Sequence, residues 1–151
     1  MAKQPNIEVL TTVPFPEPIM QRLKNLTPRI KITMFPAQKV EDVPPDLWNK
    51  TEVLYTDVLL PGVEVVPNLR WIQFHYAGID YVLDTPLATK PDLVLTSMSG
   101  ASAIQEGEYI LMMLLGLGHR LPELALNQMK KECPADRGEK FPPSDLTGAP
   151  V

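Results

Sequence analysis

A nearly unbroken apolar run constrains the fold of this chain more than any other stretch. From Tyr109 to Leu117 every residue except Gly116 is large and apolar, so a helix over this run has no polar face to turn towards water. Ser102 followed by Gln105 is a capping-box pattern, which marks where such a helix begins. The sequence therefore predicts a long helix that starts at Ser102 and must be covered on several sides.

Composition is that of a soluble globular protein and argues against several kinds of partner. The chain has 151 residues, a net charge of −4 and no basic run longer than Lys130-Lys131, which argues against nucleic acid and an anionic membrane surface. The single cysteine, Cys133, cannot form an internal disulfide, and the N-terminus has no signal-peptide pattern, so a cytoplasmic protein is predicted. The run from Tyr109 to Leu117 has only about half of the roughly 20 residues that span a bilayer, which favours a buried helix.

Short segments whose apolar residues have the spacing of a strand alternate with segments whose apolar residues have the spacing of a helix, and prolines separate them. Strands are predicted at Ile7–Val13, Arg29–Phe35, Val53–Tyr55, Leu69–Phe74 and Leu93–Thr96. Helices are predicted at Ile19–Leu26, Glu41–Lys50 with an interruption at Pro44-Pro45, Ile79–Leu83 and Pro122–Glu132. Residues 29–35 alternate apolar and polar side chains, as on an edge strand or a partly covered strand. The order predicts an α/β fold, a doubly wound parallel sheet of about five strands followed by a long apolar interdomain helix.

Two loops follow neighbouring strands of this sheet, where α/β folds place their ligands. The first runs from His75 to Asp80, and its small residues Ala77 and Gly78 let the backbone approach a ligand closely. N–H groups at the start of the next helix would suit a carboxylate or a phosphate. The alternative is that Gly78 only makes a turn. The second loop, residues 97–102, also has small residues before a helix, so the pair predicts a cleft.

The segment from Leu69 to Leu121 resembles the D-isomer-specific 2-hydroxyacid dehydrogenases. Their pattern is close to LKWIQ, a small residue and AGVD, and then TN, a small residue, SG and AEYVLAMLLALAR. Here the two parts read LRWIQFHYAGID and TSMSGASAIQEGEYILMMLLGLGHRLPE. The resemblance implies a flavodoxin-like substrate-binding domain at 1–98, a linking helix and following helix at 99–133, and a connector at 134–151 to an NAD-binding domain.

The resemblance also implies a substrate site. Main-chain N–H groups of Ala77, Gly78 and Ile79 would hold the carboxylate of a small 2-keto or 2-hydroxy acid, with Tyr76 beside them. This agrees with the anion site that the loop itself predicts.

Further contacts follow from the same resemblance. Ser102 would face the cleft near substrate and nicotinamide, which makes it a weak cofactor contact as well. Leu59 and Leu60 would lie on a loop that closes over the apolar side of the substrate. The chain departs from the family at Ser97, where Asn is common, and at Gly107, where Ala precedes the Glu.

The family's Gly-rich cofactor turn and its catalytic Arg, Glu and His have no counterpart in this sequence. Gly116-Leu117-Gly118 lies inside the predicted helix and lacks a third glycine in place. NAD or NADP would serve the intact enzyme, and neither is expected to bind this segment alone. No catalytic residue and no metal site are predicted here.

Four other reactive side chains have simpler interpretations. His119 suits the end of the long helix as a structural or surface residue, and Cys133 is an incidental thiol. Asp80 is predicted to cap the start of a helix rather than to act as a catalytic carboxylate. His75 is interpreted mainly as a packing or turn residue, with contact to a ligand as the alternative.

Two functions remain open. The chain is predicted to be the N-terminal part of an NAD(P)-dependent D-2-hydroxyacid dehydrogenase, inactive alone in 2-keto acid reduction. The alternative is a stand-alone carboxylate-binding, regulatory or interaction module on the same fold. The apolar helix is expected to pack on the nucleotide-binding domain or on a second subunit, so a homo-oligomer is expected. The polar, Pro-rich segment after Pro134 is expected to be mobile or to need a partner.

Overall fold

The computed structural model describes residues 5–145 and 147–148, and the chain divides into two compact units, Met1–Gly100 and Ala101–Val151. The strands of the first unit are β1 (Ile7–Thr11), β2 (Ile30–Met34), β3 (Val53–Thr56), β4 (Trp71–Phe74) and β5 (Val94–Thr96). Its helices are α1 (Glu17–Lys24), α2 (Pro45–Lys50) and α3 (Asp80–Leu83), with 3-10 helices at Val40–Asp42 and Pro86–Thr89. The second unit contains α4 (Ala103–Gly118), α5 (Leu121–Lys130) and α6 (Arg137–Lys140).

The five strands form one sheet in the order β2-β1-β3-β4-β5, and every pair in it is parallel. This is the strand order of flavodoxin-like folds, so the predicted α/β class is confirmed. β2 lies at one edge, as its alternating pattern predicts. The order reverses between β1 and β3, and the carboxyl ends of all strands meet at one edge of the sheet.

One face of the sheet carries the hydrophobic core. Leu10, Leu54 and Ile72, from three neighbouring strands, are at most 1% exposed and belong to one buried cluster. Trp48 of α2 and Val82 of α3 pack in the same cluster. The core is therefore built between this face and the connections that lead from β2 to β5.

The opposite face has much less cover. Parallel strands are joined by right-handed crossovers, so the face on which a connection lies depends on its direction across the sheet. The connection from β1 to β2 runs in one direction and lies on one face. The connections from β2 to β5 run in the opposite direction and lie on the other face. In the described part of this unit α1 therefore stands alone over its face. An open apolar groove of about 730 Å³ results. Its lining is drawn from α1 and from all five strands, and includes Ile19, Leu23, Val9, Ile32, Val53, Trp71 and Val94.

The predicted helix over Glu41–Lys50 is two separate elements. A 3-10 helix ends at Asp42, and α2 begins at Pro45. Proline lacks an N–H and fits the first turn of a helix, whereas inside one it interrupts the hydrogen-bond ladder. The Pro44-Pro45 pair therefore ends one element and starts the next.

The structure confirms the predicted long apolar helix, which is α4, but contradicts its predicted cap. Ser102 is the residue before the helix, and its side chain makes no capping hydrogen bond to a backbone N–H. Its hydroxyl donates instead to the carboxylate of Glu106, so the predicted capping box with Gln105 is wrong. No residue of α4 is buried, and the large side chains from Tyr109 to Leu117 are 41–59% exposed.

Left-handed residues flank α5, and the helix that follows it was not predicted. Arg120 and Lys131, with φ of 57° and 58°, flank α5. α6 forms within the polar segment after Pro134, and Leu146 and residues 149–151 of the predicted connector lie outside the described residues. Among described residues no single helix is long and apolar enough to cross a membrane. α4 and α5 together have the length and composition of a membrane span, but they are bent by 65° at the break between them.

Candidate functional site

The two predicted loops meet at the carboxyl edge of the sheet. β4 and β5 pair directly, and beyond them the N–H of Met98 donates to the carbonyl of Tyr76 at 3.1 Å. The start of the first loop is also fixed, because the N–H of His75 donates to the carbonyl of Thr56 on β3 at 2.7 Å. The predicted adjacency of the loops is therefore present, and the turn between His75 and Asp80 is anchored to its neighbours on both sides.

The turn presents backbone donors that the protein leaves unused. Among the hydrogen bonds of the described residues, none has a backbone N–H of residues 76–80 as its donor. Ala77 and Gly78 are exposed, so their N–H groups are open to solvent or to a ligand. Unpaired donors on consecutive residues can bind an anion, because a carboxylate accepts several hydrogen bonds at once.

Neither backbone conformation nor packing within the protein requires glycine at position 78. A Cβ added to Gly78 would meet nothing within 4 Å, and its φ lies outside the left-handed region. Gly100, in contrast, has a φ of 85°. The interpretation of Gly78 as only a turn-making residue therefore gains no support from a left-handed φ or from crowding within the protein. Glycine at position 78 would let a group from outside the chain approach the backbone closely.

Aromatic rings form a row beside the turn. The hydroxyl of Tyr55 on β3 lies 2.7 Å from Nδ1 of His75. The Tyr55 ring packs against Phe15 at 4.8 Å and against His75 at 5.8 Å, and His75 packs edge-on to Tyr76 at 5.2 Å. Burial raises the pKa of Tyr55 above its ordinary value of 10.0. The row holds the His75 side chain in one orientation at the base of the turn.

The rest of the turn packs inwards. Ile79 is half-buried against the hydrophobic core, and α3 follows it as a single short turn of helix. Asp80 is the first helical residue, which confirms its predicted place at the helix start, but no side chain makes a capping hydrogen bond to a backbone N–H of this helix. Tyr81 ties the turn to the loop after β3, since its hydroxyl donates to the carbonyl of Asp57 at 2.6 Å.

The apolar loop after β3 is placed differently from the expectation. Leu59 is 5% exposed and belongs to the core, and Leu60 packs against that core. The Thr56 hydroxyl donates to the Leu59 carbonyl at 3.0 Å and also pairs with the Thr12 hydroxyl at 2.8 Å. A substrate contact by the Leu59 side chain does not fit this placement, because its burial is satisfied within the protein.

The remaining candidates lie in the unit of residues 101–151. Ser102 is half-buried at the start of α4 and bonds Glu106, while His119 is an exposed residue at the end of the same helix. Gly116 and Gly118 both lie within α4, which confirms that this Gly-Leu-Gly is helical. Among described residues no group of three or more His, Cys, Asp or Glu side chains could hold a metal ion.

The sequence did not reveal the Tyr55–His75 hydrogen bond or the Thr12–Thr56 pair. Both join residues far apart in the chain, and only the register of the parallel strands brings them together. A signal was available in part, because Tyr55 ends a predicted strand and Thr56 follows it, so both lie at the ligand edge of the sheet.

Several solved dehydrogenase structures share this fold. The D-lactate dehydrogenase of Aquifex aeolicus, solved with NAD and lactic acid, matches with a TM-score of 0.60 and 22% identity over 85% of this chain. A D-isomer specific 2-hydroxyacid dehydrogenase of Xanthobacter autotrophicus Py2, with NADPH and MES, matches with a TM-score of 0.62 and 15% identity over 87%. TP0037 of Treponema pallidum, a D-lactate dehydrogenase, gives a TM-score of 0.57 and 19% identity over 85%.

These similarities confirm the resemblance at the level of fold. The chain spans 39%, 41% and 40% of the three structures, respectively. The identities are too low to transfer function with the fold. No family model matches the chain, and no curated protein matches it.

Proposed function

We propose that this chain is the N-terminal part of an NAD(P)-dependent D-2-hydroxyacid dehydrogenase, with a substrate-binding domain at 1–98. The unpaired backbone N–H groups of Tyr76, Ala77, Gly78 and Ile79 bind the carboxylate of a small 2-keto or 2-hydroxy acid. The observation that carries the proposal is this set of donors on an exposed turn at the carboxyl edge of a flavodoxin-like sheet. The fold shared with 2-hydroxyacid dehydrogenases supports the choice of ligand.

The chain's own residues supply binding and not hydride transfer. In the intact enzyme NADH or NADPH supplies the hydride. The described residues include no Gly-rich turn between a strand and a helix that could cradle its pyrophosphate, since Gly116 and Gly118 are helical. We therefore expect the 151-residue chain to bind neither cofactor tightly and to reduce no keto acid alone. Pyruvate- or glyoxylate-dependent oxidation of NADH by the purified chain would contradict this expectation.

The second unit fits a role in assembly. Large apolar side chains around the whole of α4 are exposed, and exposed apolar patches of this kind usually mark an interface. We propose that residues 99–133 pack against the nucleotide-binding domain, a second subunit or both, and that residues 134–151 connect to that domain. A homo-oligomer in the cytoplasm is part of the same proposal. Ser102, at the start of α4, is the proposed contact from this unit to substrate and nicotinamide.

The carboxylate site can be tested by nuclear magnetic resonance on the purified, ¹⁵N-labelled chain. Titration with pyruvate is expected to shift the backbone amide signals of residues 76–80, while amides of the buried strands stay in place. A titration with methyl pyruvate, which lacks the negative charge, is the matched control and is expected to give no such shifts. Pyruvate shifts that are absent at the turn would overturn the proposed site.

The alternative is a stand-alone carboxylate-binding or regulatory module on the same fold. Both functions use the same turn, so carboxylate binding does not separate them. The exposed apolar α4 does not separate them either, since it would be covered by the nucleotide-binding domain in the dehydrogenase and by another subunit in an interaction module. The intact mass of the native protein decides: a product of about 151 residues supports the module, and a product more than twice as long supports the dehydrogenase.

A further inference from the structure

The side chain of His75 has one ring nitrogen engaged and one free. Nδ1 lies 2.7 Å from the hydroxyl of Tyr55, whereas Nε2 has no hydrogen-bond partner among the described residues. The ring is exposed and stands directly before the turn whose N–H groups are unpaired. A free ring nitrogen at this position is available to a ligand of that turn.

The direction of the hydrogen bond determines what the free nitrogen can do. A neutral imidazole carries its proton on one nitrogen, and the bond made by the other nitrogen selects which one. The Tyr55 hydroxyl has no other hydrogen-bond partner among the described residues, and its half-buried position raises its pKa, so it keeps its proton. This hydroxyl can donate to Nδ1 or accept from it, and in the arrangement in which it donates, the imidazole proton lies on Nε2.

The surrounding contacts keep the pair in place. The Tyr55 ring is held by Phe15 on one side and by His75 on the other, at 4.8 and 5.8 Å. The backbone of His75 is tied to Thr56 at 2.7 Å, next to Tyr55 in the strand. The side chain and the backbone of His75 are therefore both fixed by β3, independently of any ligand.

We propose that Tyr55 orients His75 so that its Nε2–H donates a hydrogen bond to the carboxylate bound by residues 76–80. This rests on the proposed function, because it adds a side-chain donor to the same carboxylate site. His75 is then a ligand-binding residue, and Tyr55 is a positioning residue that acts through it. The assignment replaces the interpretation of His75 as a packing or turn residue.

The first test measures the tautomer in the unaltered chain. The ¹⁵N chemical shifts of the His75 ring nitrogens, recorded at a pH where the ring is neutral, are expected to show a protonated Nε2 and an unprotonated Nδ1. A signal for the reverse tautomer would overturn the proposal without any variant. His119, which is exposed and makes no side-chain hydrogen bond among the described residues, provides the internal reference for an unconstrained ring.

The second test measures pyruvate affinity in three variants by the amide titration. His75→Phe keeps a ring but removes the donor, and we expect about tenfold weaker binding, as for the loss of a hydrogen bond to a charged group. Tyr55→Phe keeps the ring contacts but frees the imidazole, and we expect about threefold weaker binding together with a mixed His75 tautomer. Tyr109→Phe is the matched control, because it removes the hydroxyl of a tyrosine that is 59% exposed and makes no side-chain hydrogen bond among the described residues, and its affinity is expected to be unchanged.

The outcomes separate this inference from the function on which it rests. If pyruvate shifts no amide of residues 76–80 in the unaltered chain, the carboxylate site itself fails. If the amides shift but His75→Phe and Tyr55→Phe bind pyruvate as well as the unaltered chain does, the site stands and the role of the pair is wrong. Amide spectra of each variant report whether it is folded.

Discussion

Trp71 on β4 donates its indole N–H to the hydroxyl of Thr96 on β5 at 2.8 Å, on the sheet face that α1 only partly covers. The Thr96 hydroxyl in turn lies 2.7 Å from the side-chain oxygen of Gln73. The polar groups of this face therefore satisfy one another and leave an apolar surface. Parallel sheets are normally buried on both faces, so this surface is the part of the sheet that most needs a partner.

The two tryptophans are expected to report how open this face is. Trp71 is 41% exposed and Trp48 is 2% exposed, so acrylamide should quench the fluorescence of the first and hardly that of the second. Trp71→Phe is expected to remove most of the quenchable fluorescence while leaving the protected component of Trp48. Strong protection of both tryptophans in the unaltered chain would show that another surface covers the face in solution.

Two glycines are expected to respond differently to alanine. Gly78→Ala should leave the free energy of unfolding nearly unchanged, because its Cβ meets nothing within 4 Å, but should weaken carboxylate binding at the turn. Gly100→Ala places a side chain at a φ of 85° and should cost about 1 kcal/mol. Urea unfolding and the pyruvate titration measure the two quantities. A large loss of stability in Gly78→Ala would mean that the turn needs glycine for its own structure.

The core face should be the main source of stability in the first unit. Leu54 is fully buried, and Leu54→Ala is expected to lower the free energy of unfolding by about 2–5 kcal/mol, because it leaves a cavity between strands and helices. Leu26→Ala is the matched control, since Leu26 is 70% exposed, and its effect should stay within about 0.5 kcal/mol. Equal losses in the two variants, measured by urea unfolding, would contradict the assignment of the core.

The free energy of unfolding should decline in alkaline solution, partly because two tyrosines lose their protons there. Burial raises the pKa of Tyr55 above 10.0, and burial followed by the charge of Asp57 raises that of Tyr81. The folded chain therefore retains these protons at a pH where the unfolded chain has released them. Their contribution is fully present below the unfolded pKa and is lost as pH rises through the folded values.

Urea unfolding between about pH 8 and 11 measures this dependence. The double variant Tyr55→Phe with Tyr81→Phe should show a shallower decline than the unaltered chain. Lysines titrate in the same range, but they are common to both proteins and cancel in the comparison. Identical slopes would show that neither phenol is shifted by folding.

The apolar α4 is expected to drive association of the isolated chain. Leu111 and Leu115 are 58% and 48% exposed and lie one turn apart, so replacing both with Lys should move the sedimenting species towards the 16.9 kDa monomer. Gln128→Lys with Glu132→Lys adds positive charge at exposed polar positions and serves as the control. A monomeric unaltered chain at micromolar concentration would contradict the expectation.

Much of the fold follows from local pattern. Alternation of strand-like and helix-like apolar periods predicts the parallel sheet, and the alternating polarity of residues 29–35 predicts its edge strand. The long helix follows from a run with no polar face. Its cap does not, because the Ser102 hydroxyl has two acceptable partners in the first turn and Glu106 is the one it bonds.

The candidate site likewise has features that the sequence predicts and features that it does not. The sequence by itself determined that two small-residue loops follow neighbouring strands and face the ligand edge of a parallel sheet. Only the tertiary structure decided that Leu59 packs in the core, that His75 is oriented by Tyr55, and that one sheet face is left largely open. The physical reason is that apolar periodicity records which residues leave water, whereas side-chain hydrogen bonds and the covering of a face depend on strand register and on the direction of each crossover.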